Sequence, residues 1–193
     1  QNPTHSYSTA GTFDVKLVAT NTNGSDSLTK AGYITINAAP PISAGSDQSI
    51  CAGDSVMLTA TGAITYTWDN GVTNGVAFAP STTSTYTVSG TDTNGCSADD
   101  SVIITVNPAI SATATTSNVT CNGGTDGTAT LTISGGTAPY TLDWGIMDSN
   151  ALAAGTHSYT ITDNNACSLT DSVTITEPSA LSATATTTDV SCN

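Results

Sequence analysis

Residues 110 to 122, Ile-Ser-Ala-Thr-Ala-Thr-Thr-Ser-Asn-Val-Thr-Cys-Asn, return as residues 181 to 193, Leu-Ser-Ala-Thr-Ala-Thr-Thr-Thr-Asp-Val-Ser-Cys-Asn, identical at nine of thirteen positions. The period is 192 − 121 = 71 residues. A repeat of that length must complete its own fold before the next begins, which constrains this chain more than any other feature. The closing thirteen residues read as the opening of another copy, so the chain is expected to be a stretch of a longer tandem array.

The five cysteines follow the same period. Cys51 and Cys96 are 45 positions apart, Cys121 and Cys167 are 46 apart, and Cys192 stands where Cys121 stands in its own copy. No C-x-x-C pair occurs and there are only two histidines, so zinc ligation is a poor reading and disulfides a good one. The matched spacing predicts bonds Cys51–Cys96 and Cys121–Cys167, with Cys192 left unpaired in this stretch. Disulfides place the protein outside the cytosol. Each would close a loop of about 45 residues, contributing roughly 3 to 4 kcal/mol to a module with a small core.

Net charge is −13, with Lys16 and Lys30 the sole basic side chains and no arginine. Nucleic-acid backbones and anionic membrane surfaces would be repelled. Charged residues make up only 9 % of the chain, so the acidity reflects missing bases and not acidic runs; the 37 % hydrophobic content lies in short alternating stretches suited to strands. No run reaches the length of a membrane span, and no leader pattern opens at Gln1; targeting signals are expected outside this stretch.

Three segments share one pattern: 11–24, 84–95 and 156–165 are each an aromatic-led alternating strand ending in an Asn, Asp or Gly turn. A second alternating strand follows each, reaching Ile36, Val106 and Thr176. Alternation around such a turn predicts a β-hairpin, three times over. Period two aims Phe13, Val15 and Leu17, then Tyr86, Val88, Val102, Ile104 and Val106, then Tyr159, Ile161, Val173 and Ile175 inward. Further short strands are expected at 56–60, 65–68, 76–78, 128–133 and 140–144, with one tryptophan between each cysteine pair. The fold class is all-β: immunoglobulin-like sandwiches in a linear string, with no helical periodicity. Each first cysteine precedes its strand and each second one sits at a hairpin turn, so the bond is expected at one pole of the sandwich. Trp68 and Trp144 are core residues on this reading, with sugar stacking the minor alternative. Short proline-bearing linkers (38–41, 107–108, 177–178) imply a semi-rigid stalk.

Motifs in the third module are Thr120-Cys-Asn-Gly-Gly124, Gly135-Gly-Thr-Ala-Pro-Tyr140, Trp144, Leu152-Ala-Ala-Gly155, Tyr159-Thr-Ile-Thr-Asp163, Cys167 and Ile175-Thr-Glu-Pro178. With these, residues 109–179 resemble the SprB repeat of giant surface adhesins in gliding Bacteroidota, and 180–193 would be the first strand of the following repeat. Residues 1–37 resemble the C-terminal half of a PKD domain, through Asn2-Pro-Thr-His-Ser-Tyr7, Gly11, Phe13, Val15, Leu17 and Asn23-Gly24. The family's Trp-Asp-Phe-Gly-Asp-Gly half is missing, so this segment is not expected to close a sandwich alone. Residues 41–108 are similar to Ig-like modules of the same class of secreted proteins. The resemblance implies export, by the type IX route, and display at the cell surface.

Chemistry is sparse. His5 and His157 lie in different modules. Asp92, Asp99 and Asp100 cluster about the Cys96 turn, where calcium is conceivable, but no D-x-D-x-D-G loop is present and turn formation is the better reading, as it is for Asp126, Asp143 and Asp148. No Gly-x-Ser-x-Gly elbow or phosphate loop exists, so no catalytic or cofactor-binding residue is assigned. Asp-Ser-aliphatic segments at Ser27, Ser55, Ser101 and Ser172 resemble the O-glycosylation acceptor of secreted Bacteroidota proteins. The functional expectation is a structural and adhesive segment of a surface filament, with extracellular surfaces, glycans or like chains as partners. The alternatives are spacer or glycan-binding modules of a secreted hydrolase.

Overall fold

The computed structural model describes residues 4–190. It is all-β, with thirteen strands and no helix among the described residues. Two compact units divide between Val106 and Asn107.

The first unit opens with a hairpin, β1 (Gly11–Asn21) against β2 (Gly24–Ile36), whose strands pair with each other alone. Asn21 Oδ1 accepts the N–H of Asn23 at 2.8 Å and closes the turn. The register slips between Phe13 and Val15, where Asp14 Oδ1 instead accepts the N–H of Gly32 at 2.7 Å. Phe13 stacks on Tyr7 with ring centroids 4.7 Å apart, and Tyr7 meets His5 edge-on at the same distance. Leu17, expected to face inward, is 63 % exposed, and its cross-strand partner Leu28 is 61 % exposed. Alternation sorts Leu17 onto one face as read from sequence, but no second sheet covers that face.

The rest of this unit is a two-sheet sandwich. Strands β3 (Gln48–Cys51), β5 (Thr65–Trp68), β7 (Ser84–Thr91) and β8 (Ser97–Asn107) form a sheet in the order β3-β8-β7-β5; β4 (Val56–Met57) pairs with β6 (Ala77–Phe78) in the second. Valine, isoleucine and tyrosine at every second position of β7 and β8 bury Tyr86, Val88, Val102 and Ile104 against Val56, Leu58, Ala60 and Trp68, as expected from period two. Val106 is only half-buried. The incoming chain crosses between sheets. Ser43 exchanges two 3.0 Å bonds with Thr61; then Ala44 N–H donates to Asp100 and Ile103 N–H to Asp47, both at 2.8 Å. The contacts 44/100 and 47/103 advance together, so the segment leading into β3 runs parallel to β8.

In the second unit β9 (Ile110–Ser117) pairs with β10 (Thr128–Gly135), and β11 (Thr141–Asp143), β12 (Gly155–Thr162) and β13 (Ser168–Ile175) form a three-stranded sheet. Tyr159, Ile161, Val173 and Ile175 from one side meet Ile110, Ala129 and Leu152 from the other, around Trp144. Residues 181–190, which repeat the sequence of β9, form no strand and are exposed. β9 is held by its ladder to β10, whereas no strand pairs with 181–190, so the first strand expected there is not formed.

Candidate functional site: cysteines and turns at the module poles

Each sandwich has a leading pole, where the chain comes in, and a trailing pole, where it leaves. At the leading pole of the first, the Pro41 carbonyl lies over Gly62 so closely that a Cβ there would sit 2.0 Å from the oxygen. In the second unit the Ala109 carbonyl lies over Gly135, at 2.2 Å from the same hypothetical atom. Both glycines have positive φ (98° and 69°), so they permit the approach twice over, by space and by backbone.

The hairpin turn of each sandwich lies at this pole, built by an aspartate. Asp92 Oδ1 accepts the N–H groups of Asn94 and Cys96, both at 2.8 Å, while Asp92 N–H donates to the Cys96 carbonyl. In the second unit Asp163 Oδ1 accepts from Asn165 and Cys167, both at 2.9 Å, its N–H donates to the Cys167 carbonyl, and its Oδ2 accepts from Thr137 N–H. The turn motif is thus Asp-x-Asn-x-Cys, with the fourth residue left-handed: Gly95 at φ 78° and Ala166 at φ 63°. The Asp92 carboxylate, a conceivable calcium ligand by sequence, is committed to this turn.

A different turn marks the trailing pole. Asp54 N–H donates to the Cys51 carbonyl at 3.0 Å and Cys51 N–H returns a bond to the Asp54 carboxylate. Gly124 N–H donates likewise to the Cys121 carbonyl at 2.9 Å. Gly53 and Gly123 hold the positive φ that the third residue of such a turn requires. The Cys121 turn is pinned to the outgoing chain: Asn122 Nδ2 donates to the Pro178 carbonyl at 3.1 Å and Gly123 N–H to the Glu177 carboxylate at 2.7 Å. Thr120 hydroxyl and N–H both donate to Asp126, whose carboxyl they hold below the ordinary carboxylate range, the hydroxyl contributing most.

These positions correct the expected disulfides. Cys96 immediately precedes β8, whereas Cys51 lies four residues beyond Asp47, which is already level with Ile103. Seven residues of extended strand separate 96 from 103, about 23 Å at 3.3 Å per residue, and a disulfide needs Cα atoms within about 7 Å. Cys121 likewise lies beside Glu177 and Pro178, beyond the end of β13, while Cys167 immediately precedes its start. Cys96 and Cys121 carry free thiols, so neither Cys51–Cys96 nor Cys121–Cys167 forms; Cys51 and Cys167 are disulfide-bonded. The error lay in putting both cysteines at one pole, because the strand carrying the first runs parallel to the last strand and delivers it to the opposite end. Cys192 lies outside the described residues.

The four serines are all exposed. Ser101 is the fifth residue of β8 and Ser172 the fifth of β13, and Ser27 is the fourth of β2, so all three sit within strands. Asp26 and Asp171 each accept the N–H of the serine that follows, at 2.8 Å. Ser55 lies in the loop before β4. β8 lies between β3 and β7, whereas β13 is an edge strand of its sheet, so Ser172 and not Ser101 stands on a sheet edge. Asp100 accepts from Ala44 and Ser101 N–H, which lower its pKa in that order. Asp143 and Asp148 cap their own turns through Gly145 and Asn150. Among the described residues no group of three or more His, Cys, Asp or Glu side chains could hold a metal ion. His157 bonds the Ala153 carbonyl through Nε2 at 2.8 Å, and His5 belongs to the aromatic trio above.

Both tryptophans are buried. Trp68 Nε1 donates to Asn74 Oδ1 at 3.1 Å, and the Trp144 ring lies 5.1 Å from that of Tyr159, so neither presents a face for sugar stacking. Burial, with Asp171 nearby, pushes the Tyr159 hydroxyl above its ordinary pKa.

The family model of the SprB repeat matches residues 113–145, from β9 to the turn after β11. No curated protein matches the chain. A similar solved structure is the crystal structure of Down Syndrome Cell Adhesion Molecule (DSCAM) isoform 1.30.30, N-terminal eight Ig domains, with a TM-score of 0.54 and 16 % identity. The match covers 87 % of this chain and 27 % of that one, and at such identity the likeness concerns the fold. The chain is an all-β segment of Ig-like architecture in which residues 113–145 are similar to the SprB repeat.

Proposed function

We propose that this chain is a structural and adhesive segment of a large extracellular repeat protein, a stalk that spans distance and presents surface for attachment or gliding. Its modules on this reading are 41–108 and 109–179, preceded by a PKD-like half at 1–37 and followed by a new repeat from 180. The observation that carries the reading is the reuse of one plan: two sandwiches with the same aspartate-built turn, the same glycine-gated linker and the same polar cysteines. Asp92, Asp143, Asp148 and Asp163 are committed to turns, which favours a scaffold over a hydrolase. Display outside the cell accords with the cysteine usage, and export by the type IX route is the path proposed for it. The exposed Ser27, Ser55, Ser101 and Ser172 are the proposed O-glycan acceptors, and glycopeptide analysis of native material tests them. For the segment as a whole, antibodies to residues 41–178 are expected to label intact cells of the source organism. Labelling that requires permeabilisation would contradict the proposal.

A further inference from the structure

Asparagine is followed by glycine five times, at 23–24, 70–71, 74–75, 94–95 and 122–123. In each pair the glycine has no Cβ to keep its backbone nitrogen away from the asparagine carboxamide, so by local sequence the five are equivalent. The fold makes them unequal. Gly75 N–H donates to the Leu58 carbonyl at 2.8 Å, Gly95 N–H to the Asp92 carbonyl at 3.2 Å and Gly123 N–H to the Glu177 carboxylate at 2.7 Å. Gly24 stands in the β1–β2 ladder opposite Asn21. Two of the carboxamides are tied as well: Asn74 Oδ1 accepts from Ala60 N–H and Trp68 Nε1, and Asn122 Nδ2 donates to the Pro178 carbonyl. Asn70 and Gly71 differ. Both are exposed at the centre of a turn closed by Val72 N–H on the Asp69 carbonyl at 3.2 Å, and their φ angles of 52° and 74° make it type I′. Gly71 N–H meets no acceptor among the described residues.

From this contrast we propose that Asn70 is a modification site, the asparagine of the folded chain that converts to aspartate and isoaspartate without an enzyme, with water as co-reactant. The Gly71 nitrogen gives its proton to water and attacks Asn70 Cγ. The new C–N bond closes a five-membered succinimide, the Cγ–Nδ2 bond breaks, and Nδ2 leaves as ammonia with the proton it needs drawn from water. Water then opens the ring at either carbonyl, giving aspartate or isoaspartate. Before the change Asn70 Nδ2 donates to Asp69 Oδ1 at 3.2 Å and to the Thr85 carbonyl at 3.4 Å. Afterwards a carboxylate faces those two acceptors, and no donor remains between them. Asp69 also accepts Thr87 N–H and donates to the Thr87 carbonyl, both at 3.0 Å, so it fastens the end of β5 to β7. Modification therefore loosens that corner of the first sandwich and adds negative charge to a chain already at −13.

The test is a time course on the folded 193-residue chain in neutral buffer, with peptide mapping at each point. Fragment ions separate Asn70 from Asn74, and enzymatic methylation of isoaspartyl carboxyls marks the rearranged product. The same course is run on the chain unfolded in urea. In the folded chain Asn70 is expected to convert first, with exchange of the Thr87 amide quickening in step; in urea the five asparagines are expected to convert together. Earlier conversion at Asn23, Asn74, Asn94 or Asn122 in the folded chain would overturn the proposal. So would an intact Asn70 once the unfolded chain has converted, or an equal lead of Asn70 in urea, which would trace the selectivity to sequence and not to the turn.

Discussion

Asp163 Oδ1 accepts the backbone N–H of Cys167 at 2.9 Å, and both residues are buried. The same carboxylate serves Asn165 and Thr137. Replacing Asp163 with alanine leaves three N–H groups without their acceptor, at least one of them buried. The expected cost is about 2 to 4 kcal/mol, larger than that of Asp163→Asn, which keeps one acceptor oxygen. Urea denaturation followed by tryptophan fluorescence measures both.

Ala166 occupies the left-handed position that Gly95 holds in the other sandwich. An alanine there carries a penalty of about 1 kcal/mol, which glycine removes. Ala166→Gly is therefore expected to raise stability by up to about 1 kcal/mol, less the added freedom of the unfolded chain. A raised denaturation midpoint with unchanged slope checks it.

Gly135→Ala is expected to act in the opposite sense. Its Cβ would fall 2.2 Å from the Ala109 carbonyl oxygen, a backbone atom that cannot step aside without moving β9. A loss of more than about 2 kcal/mol is expected, with shifted amide resonances from 109 to 111. Gly123→Ala lacks any atom within 4 Å of the new Cβ, so it bears the left-handed penalty alone and should cost less.

Asp100 and Asp126 are held below the ordinary carboxylate range, Asp100 by the N–H of Ala44 and Asp126 by the hydroxyl of Thr120. A depressed folded-state pKa means that the unfolded chain takes up the proton first. The stabilisation is therefore present above the unfolded value near 4 and is lost as pH falls through the folded value. Thermal midpoints should decline below about pH 4, and carbon-detected NMR titration should show Asp126 moving upward in Thr120→Ala while Asp100 stays in place.

Alternation made the cores legible: Tyr86, Val88, Val102 and Ile104, and Tyr159, Ile161, Val173 and Ile175, are all buried as period two requires. The hairpin turns were equally plain, because Asn and Gly between alternating strands have few other uses. Two things depended on partners that lie far away in sequence. Leu17 has the pattern of a core residue but no facing sheet, and 181–190 has the sequence of β9 but no β10 beside it. The cysteine poles were hidden for a third reason. Spacing along the chain is the same whether the first strand runs parallel or antiparallel to the last, and the parallel course follows from Asp47 meeting Ile103 and Ala44 meeting Asp100. The Asp-x-Asn-x-Cys turn was available to sequence reading: aligning Asp92 to Cys96 with Asp163 to Cys167 reveals aspartate as the turn's acceptor and Ala166 as the strained position.

The central structural claim is that each sandwich holds its two cysteines at opposite ends. Alkylation of the 193-residue chain, produced in an oxidising compartment, followed by peptide mapping before and after reduction, tests it most directly. Cys96 and Cys121 are expected to react before reduction, and Cys51 and Cys167 only after it. Recovery of a peptide joining Cys51 to Cys96, or Cys121 to Cys167, would contradict the account.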